Sequence, residues 1–541
     1  MNTNRGTRDS KALDLPGWLA YAYKPVLPLL EKLHVSRRGT REHNPADILL
    51  PEGYVAELVA SGFDAPDHCC FDGQGACYVF ESGHKVEQPP RILKVDPDSR
   101  TYEVFFELPR ERWIPTGAVT GGCWHEGHLY VCNTDTLSRI GPDGRIDDIV
   151  TGLPGLGDHQ ANYPVAGPDG KLYFGVGSAT NAGVVGPDNA GYEWLPKHPQ
   201  VHDVPARDLV LRGLDFASRN VLGSLTETVA TGAFVPFGTP TSPGHVVRGN
   251  VKCSGSVLRC EPDGSGLEVV AWGLRNPYGI AFAPDGKLYV TEHGSDERGA
   301  RYIVGDPDDF YQIEAGRWYG WPDFASGIRL DDAYWGDAGK AREPVLQEFP
   351  EPQPPRPVLS FEPHAAANGF DFCRDGRFGF AGDAFVALFG DLFPLTTTRE
   401  ATPAGFKVVR IDMKTLTALD FAVNRIAGPA SKLPHAGFER PSHCAFGPDG
   451  CLYVVDSGEI DLAPERGGIR MKQGTGSLWR IRRVALETGE LPPKPATWPV
   501  NVIPLLAAPL AIVVAALVVG ALLRRRRRGS REPAPSSSAN L

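Results

Sequence analysis

The chain has no CxxC pair and no Cys/His pair at zinc-binding spacing, so its 10 cysteines do not point to a structural zinc. It lacks a signal peptide of ordinary form: the apolar stretch near the N-terminus is broken by Lys24, Pro25 and Pro28, with no small-residue cleavage site after it. Excess positive charge is missing too, and a formal net charge of −10 argues against a nucleic-acid surface. A helical protein is excluded by composition. The 62 glycines and 49 prolines make up about a fifth of 541 residues, which suits many short strands joined by tight turns. Aromatic residues are plentiful (10 Trp, 16 Tyr, 25 Phe), so the chain can build a large core and is not disordered.

One long apolar run is present. Residues 501–523, NVIPLLAAPLAIVVAALVVGALL, carry no charge, and Arg524 to Arg528 follow directly. Some twenty apolar residues at about 1.5 Å rise cross a hydrocarbon core about 30 Å thick. Pro504 and Pro509 kink such a helix without forbidding it. The arginines should stay cytoplasmic, which places the preceding chain outside the cytoplasm on a single-pass anchor. A tail-anchored protein facing the cytoplasm is the alternative, because no export signal is evident. The expected organisation is an N-terminal extension (1–45), a main domain (46–485), a linker (486–500), the transmembrane helix (501–523) and a basic, then Pro/Ser-rich tail (524–541).

The main domain is repetitive. Five segments share one pattern: CCFDGQGACYVFESG from Cys69, CWHEGHLYVCNTD from Cys123, VAGPDGKLYFGVGS from Val165, AFAPDGKLYVTEHG from Ala281 and CAFGPDGCLYVVDSG from Cys444. A weaker sixth begins at Asp371. Each reads as strand, Gly/Asp turn, strand, and second strand pairs such as RILKVDPDSRTYEVFFEL lie between them. Four strands per unit in six units predict an all-β, six-bladed β-propeller. The last strand, GSLWRIRRV, should pair with PEGYVAELVASGF and close the ring. Long insertions are expected at about 179–252 and 295–360, in loops. Cys70 and Cys77 are expected to face each other across one hairpin, where a disulfide is sterically conceivable; the alternative is a set of buried small hydrophobes.

In a propeller the loop entering the innermost strand pair sits at the rim of the central channel. Reading each repeat there gives Asp158, His159 and Gln160 in GDHQANYPV, Arg275 and Asn276 in GLRNPYGI, and Arg440 in FERPSHCAF. Converging cations imply an anionic ligand, since arginine grips carboxylates and phosphates through two parallel bonds. A histidine beside them is the natural general base.

The ordered set DHQ…GPDGKLYFGVGS…GLRNPYGIAFAPDGKLYVTEHG…WYGWP…GFKVVRI…RPSHCAFGPDG resembles the glucose/sorbosone dehydrogenase family over about residues 50–484. That resemblance implies a six-bladed quinoprotein binding pyrroloquinoline quinone (PQQ) and calcium. It implies that His159 removes a sugar hydroxyl proton while hydride passes to the quinone. Asp158, Gln160, Arg275 and Asn276 would line the site, Arg440 would help hold the quinone, and Arg399 would match a further basic residue, with Lys407 a weaker match. Calcium would take the backbone carbonyls of Gly294 and Ser295, and Asp306, Asp308 and Asp309 would form either a second calcium site or a solvated loop. The chain departs from the pattern at Ser178, where some relatives have an aspartate partnering the histidine; Asp158 is the substitute to consider. Tyr163 stands where it could fill part of the sugar pocket.

The leading reading is therefore a membrane-anchored, PQQ-dependent sugar dehydrogenase of aldose or sorbosone type, passing electrons to a quinone or haem protein. A lactonase-type hydrolase would need calcium held by Glu, Asp and Asn side chains at the channel, where Arg and His stand instead. A non-catalytic module binding a glycan or another anionic ligand is the remaining alternative.

Overall fold

The computed structural model describes residues 39–484, apart from 87, 115–116, 337–341, 398–402 and 464–467. The recurring turn explains why each repeat folds as a hairpin. In GPDGKLY, Asp169 accepts the Lys171 N–H at 3.2 Å and the Tyr173 hydroxyl at 2.8 Å. Asp449 repeats this with the Cys451 N–H at 3.0 Å and the Tyr453 hydroxyl at 2.9 Å. The following glycines, Gly170 and Gly450, have φ of +79° and +77°, which a side chain would strain. One aspartate thus ties the turn to the second strand, and each such bond contributes about 1 kcal/mol.

The hairpins extend into six four-stranded antiparallel sheets among the described residues. Their innermost strands are, from blade I to blade VI, Pro66–Phe71, Val119–His125, Ala161–Ala166, Pro277–Phe282, Ala367–Phe372 and Pro441–Phe446. Each packs on the next, and the sixth on the first. Ring closure follows the expectation: Gly476–Arg483 pairs with Tyr54–Phe63, running from Phe63 opposite Gly476 to Tyr54 opposite Arg483. A short strand, Ile48–Leu49, adds a fifth edge to blade V.

The Leu-Tyr-Val strands supply the core between blades. Tyr78, Phe80, Val119, Leu129 and Val131 fill the seam between blades I and II. Phe378, Phe385, Cys444, Val454 and Trp479 fill that between V and VI. Burial of each large side chain contributes about 1.5–3 kcal/mol. On the axis, His68 and His443 stack with centroids 3.7 Å apart, and Tyr163 lies 4.2 Å from His68. Gly121 and Gly369 make room for them: a Cβ there would lie 2.4 Å from His68 Cγ and 2.1 Å from His443 Cδ2. Tyr163 is therefore part of this buried plug, 2% exposed, and does not fill a substrate pocket.

Two expectations are corrected. The first insertion stands, running between the blade III strands Leu172–Val176 and Ser256–Cys260. The second does not: Pro307–Gln312 inside it is the third strand of blade IV, paired with Leu288–Glu292 and Leu359–Pro363. PDDFYQ hides its strand character because its aspartates are buried and bonded rather than solvated. Nor can Cys70 bridge Cys77. Phe71 faces Cys77 and Cys70 faces Tyr78, so the two thiols point to opposite sides of the sheet. All ten cysteines are free.

No helix among the described residues is long and apolar enough to cross a membrane. The expected linker, transmembrane helix and tail at 486–541 lie outside the described residues.

Candidate functional site

A cavity of about 300 Å³ opens at one end of the channel, lined by residues from several blades, among them His159, Arg275, Asn276, His293 and Asn368. His159 is fixed from one side. Its Nδ1 lies 2.8 Å from the Ser178 carbonyl oxygen, which can only accept, so Nδ1 carries the proton and Nε2 keeps its lone pair. Burial, then the Arg275 charge, hold the ring well below the usual histidine pKa, so it is neutral at pH 7. Gly177 permits this closeness, since a Cβ there would lie 2.3 Å from His159 Cβ and 2.6 Å from Asn276 Oδ1. The carboxylate missing at Ser178 is replaced by that residue's own backbone carbonyl; its hydroxyl donates to the Thr180 carbonyl at 2.7 Å.

Arg275 is buried at the cavity wall. Nε donates to the Asn181 carbonyl at 3.1 Å and NH2 to Asn181 Oδ1 at 2.8 Å, with Asp296 at 3.5 Å. Asn276 accepts from Asn162 at 3.0 Å and donates to His293 Nδ1 at 3.0 Å. His293 in turn donates from Nε2 to the Ala367 carbonyl and Asn368 Oδ1, and stacks on Tyr278 at 5.2 Å. The Tyr278 hydroxyl donates to Asp67 at 2.6 Å, and burial pushes that carboxyl up to about 7. Gln160 lines the cavity with its Oε1 buried and without a hydrogen-bond partner.

Asp158 does not partner His159. Its carboxylate accepts from Asn189 at 2.9 Å, Trp194 Nε1 at 2.6 Å and Arg298 at 2.7 Å, turning it toward the insertion. Arg440 is not at the cavity wall either. It stands directly before Pro441, whereas Arg275 stands two residues before Pro277, and these prolines occupy equivalent register positions opposite Asp456 and Glu292. Arg440 therefore shares a register position with Asn276, and His159 shares one with Arg275. The Arg440 guanidinium donates to the Gly390 and Asp391 carbonyls, both at 3.0 Å, between the rings of Phe389 and Phe406. Burial lowers its pKa to about 10. Arg399 lies outside the described residues. Lys407 pairs with Asp420 at 2.9 Å on the outer strands of blade V.

Gly294 and Ser295 are held by their amides, Gly294 N–H to Asp308 at 2.9 Å and Ser295 N–H to Asp306 at 2.6 Å. Their carbonyls accept no hydrogen bond among the described residues, and backbone oxygens of this kind suit a hard cation. The three aspartates are neither a solvated loop nor a second metal cluster. Asp308 also accepts the Ala367 N–H at 2.9 Å, and Asp309 accepts from Ser360 at 2.6 Å and Tyr311 at 3.2 Å. Among the described residues no group of three His, Cys, Asp or Glu side chains is arranged to hold a metal ion.

The residues missed from sequence are Asn181, His293, Arg298, Asn368 and Asp67. His293 and Asp67 had a usable signal, since each adjoins a repeat strand. Arg298 and Asn181 sit in irregular loops and had none.

A six-bladed propeller with a polar, histidine-bearing cavity at one channel end defines the class. Within it, residues 241–461 match the family model described as Glucose / Sorbosone dehydrogenase. The matched segment contains Arg275, Asn276, Gly294, Ser295 and Arg440; His159 precedes it. A curated relative, quinoprotein glucose dehydrogenase B of Acinetobacter calcoaceticus, is 29% identical over 209 residues, 38% of this chain. The matched region spans about a third, 33%, of that relative. Among solved structures, a calcium structure of a Trichoderma reesei carbohydrate-active enzyme of family AA12 aligns with TM-score 0.50 and 14% identity over 83% of this chain and 99% of that one, which shows the fold. A PQQ-bound aldose sugar dehydrogenase from Streptomyces coelicolor aligns with TM-score 0.44 and 16% identity over 80% of this chain and 100% of that one.

Proposed function

We propose that this protein is a PQQ- and calcium-dependent dehydrogenase acting on a sugar hydroxyl. One observation carries the reading: His159 lines the cavity as a neutral imidazole whose protonated Nδ1 is anchored on the Ser178 carbonyl, leaving Nε2 to take a proton. The cavity offers polar side chains to a polar cofactor. It has the buried Arg275 at its wall, and Gln160 Oε1, Thr396 Oγ1 and His364 Nε2 lie buried without hydrogen-bond partners. Arg275, Asn276 and Gln160 would hold the quinone, and the Gly294 and Ser295 carbonyls would hold the calcium. PQQ supplies the two-electron acceptor and Ca²⁺ the Lewis acid that polarises it.

The protein's own residues do the proton work. Nε2 of His159 accepts the hydroxyl proton as the carbon loses hydride. Burial and the Arg275 charge then make the imidazolium unfavourable, so the proton is readily passed on. The Ser178 carbonyl holds the ring in one tautomer throughout. We extend the proposal to a single-pass anchor at 501–523 that keeps the propeller outside the cytoplasm and beside a membrane quinone or haem-protein acceptor; its support is the uncharged run followed by five arginines.

A second reading, a non-catalytic glycan-binding channel, has one observation in its favour. The cavity cations are already paired, Lys85 with Glu193, Arg275 with Asp296 and Arg298 with three aspartates. Calorimetric titration of PQQ with calcium into the full chain separates the two. Saturable binding that weakens in Arg275→Ala, with sugar-dependent dye reduction lost in His159→Gln, supports the dehydrogenase. A folded protein that binds no PQQ overturns it and leaves the glycan channel.

A further inference from the structure

One side chain at the cavity, Arg298, pairs with three carboxylates, and the proton transfer above does not use it. Each of its three nitrogens meets a different carboxylate: NH2 with Asp158 at 2.7 Å, NH1 with Asp188 at 2.7 Å, and Nε with Asp296 at 2.9 Å. Its guanidinium carbon stacks 4.2 Å from the centroid of the Tyr192 ring. The three aspartates come from three places: the loop that carries His159, the short helix Pro187–Gly191 in the blade III insertion, and the loop after the blade IV hairpin. The planar guanidinium holds its donors in a fixed fork that spans three separated carboxylates, whereas a lysine ammonium has three donors on one compact nitrogen at the end of a flexible stem.

The backbone is built for this arrangement. Gly299 has φ +80°, and a Cβ there would lie 3.0 Å from the Asp188 carboxylate. Asn181 stitches the same elements together: its Nδ2 donates to the Asp296 and Arg298 carbonyls at 2.9 Å each, and its Oδ1 accepts the Asp296 N–H at 2.9 Å. Asp158 adds Asn189 and Trp194 from the insertion. The residue preceding His159 is therefore clamped on the insertion side, while His159 itself is anchored on Ser178.

We propose that Arg298 is the positioning residue of this site, locking Asp158 to the insertion and to the 294–298 loop and so fixing where His159 Nε2 stands; the proposal rests on the dehydrogenase reading. The insertion is then a working part of the site and not an ornament on blade III. The guanidinium also bears on His159 electrostatically. The charged and titratable groups around that ring are Arg275 and His293 from blade IV, Arg298 from the following loop, and Asp158 on its own loop, which is turned away onto Arg298. After burial and Arg275, and against the Ser178 carbonyl bond that favours the imidazolium, His293 and then Arg298 are smaller influences disfavouring it.

The test compares the full chain with Arg298→Lys and with the double variant Arg298→Gln/Asp188→Asn, which removes one cation and one anion together so that folding is spared. The first readout needs no cofactor: the pH titration of His159 by NMR with labelled histidine, its signal identified by its loss in His159→Gln. The double variant should move the midpoint upward, and the Lys variant, which keeps the charge, should leave it near wild type. The second readout is turnover. Both variants should lose about 10²-fold in kcat, with KM and PQQ affinity changed less than threefold, because a misplaced base costs rate rather than binding. A double variant that is merely less heat-stable, with the His159 midpoint and kcat within twofold of wild type, overturns the proposal. A wild-type chain that oxidises no sugar sinks the dehydrogenase reading, and the NMR titration still decides whether Arg298 governs His159.

Discussion

Arg275 and Arg440 enter their blades through the same kind of loop, each just before a proline that starts an innermost strand, yet they end in different places. Arg275 lies at the cavity wall, bonded to Asn181 and close to Asp296. Arg440, one register position later, is drawn back onto the Gly390 and Asp391 carbonyls and sandwiched between two phenylalanines. One residue of offset along a strand reverses the side a side chain takes. The carbonyls within reach then settle the rest. Blade IV thus contributes to the site, while the arginine of blade VI contributes to stability.

The largest effect expected from this contrast is at His159, which shares Arg275's register. His159→Gln should lower kcat about 10³-fold, as for loss of a general base, with PQQ binding retained, measured by steady-state dye reduction. Next comes the arginine pair. Arg275→Ala should weaken PQQ about 10²-fold in a calorimetric titration, the scale of one charged hydrogen-bond group. Arg440→Ala should leave affinity within about threefold but cost about 2 kcal/mol in denaturant unfolding, because two buried carbonyls lose their donor. If the two variants weaken PQQ equally, the contrast collapses.

The pH profile sharpens the same comparison. His159 has its pKa depressed by burial and Arg275, so the base stays unprotonated well below the ordinary value of 6.5. Activity should therefore hold flat as pH falls through 6.5 and decline only at lower pH. The stability linkage has the matching sign. The unfolded chain binds a proton at His159 that the folded one refuses, so this residue's contribution is full above 6.5 and is lost as pH falls below it. An acid limb centred at 6.5 in kcat/KM would contradict this environment. Smaller still, Ser295→Ala should leave the calcium dependence of PQQ binding within about threefold, since the candidate ligand there is a backbone carbonyl, whereas a chelator should abolish that dependence. Smallest of all, reductant should leave the thermal midpoint unchanged, because all ten cysteines are free.

The repeats made the fold legible. Every hairpin read from the turn pattern forms, and the closing pair of chain-end strands forms in the expected way. Pro307–Gln312 escaped because its buried aspartates look like loop residues until their backbone partners are known. Of the site, His159, Gln160, Arg275, Asn276 and Gly294 do line one cavity. Asp158 lines the same cavity but partners Arg298, Asn189 and Trp194 instead of His159, and Arg440 lies back from the cavity wall.

Sequence alone determined the six-fold alternation of turns and Leu-Tyr-Val strands, the family likeness and the rim loops that carry polar residues. It could do so because hairpin formation is a local matter, written within about twenty residues at a time. Only the tertiary structure decided which polar groups meet. The Ser178 carbonyl holds His159 across 19 residues, Arg298 reaches Asp158 across 140, and Gly390 takes Arg440 across 50. Those pairings depend on how neighbouring blades and one insertion bring backbone carbonyls and carboxylates within 3 Å, and no local pattern records that distance.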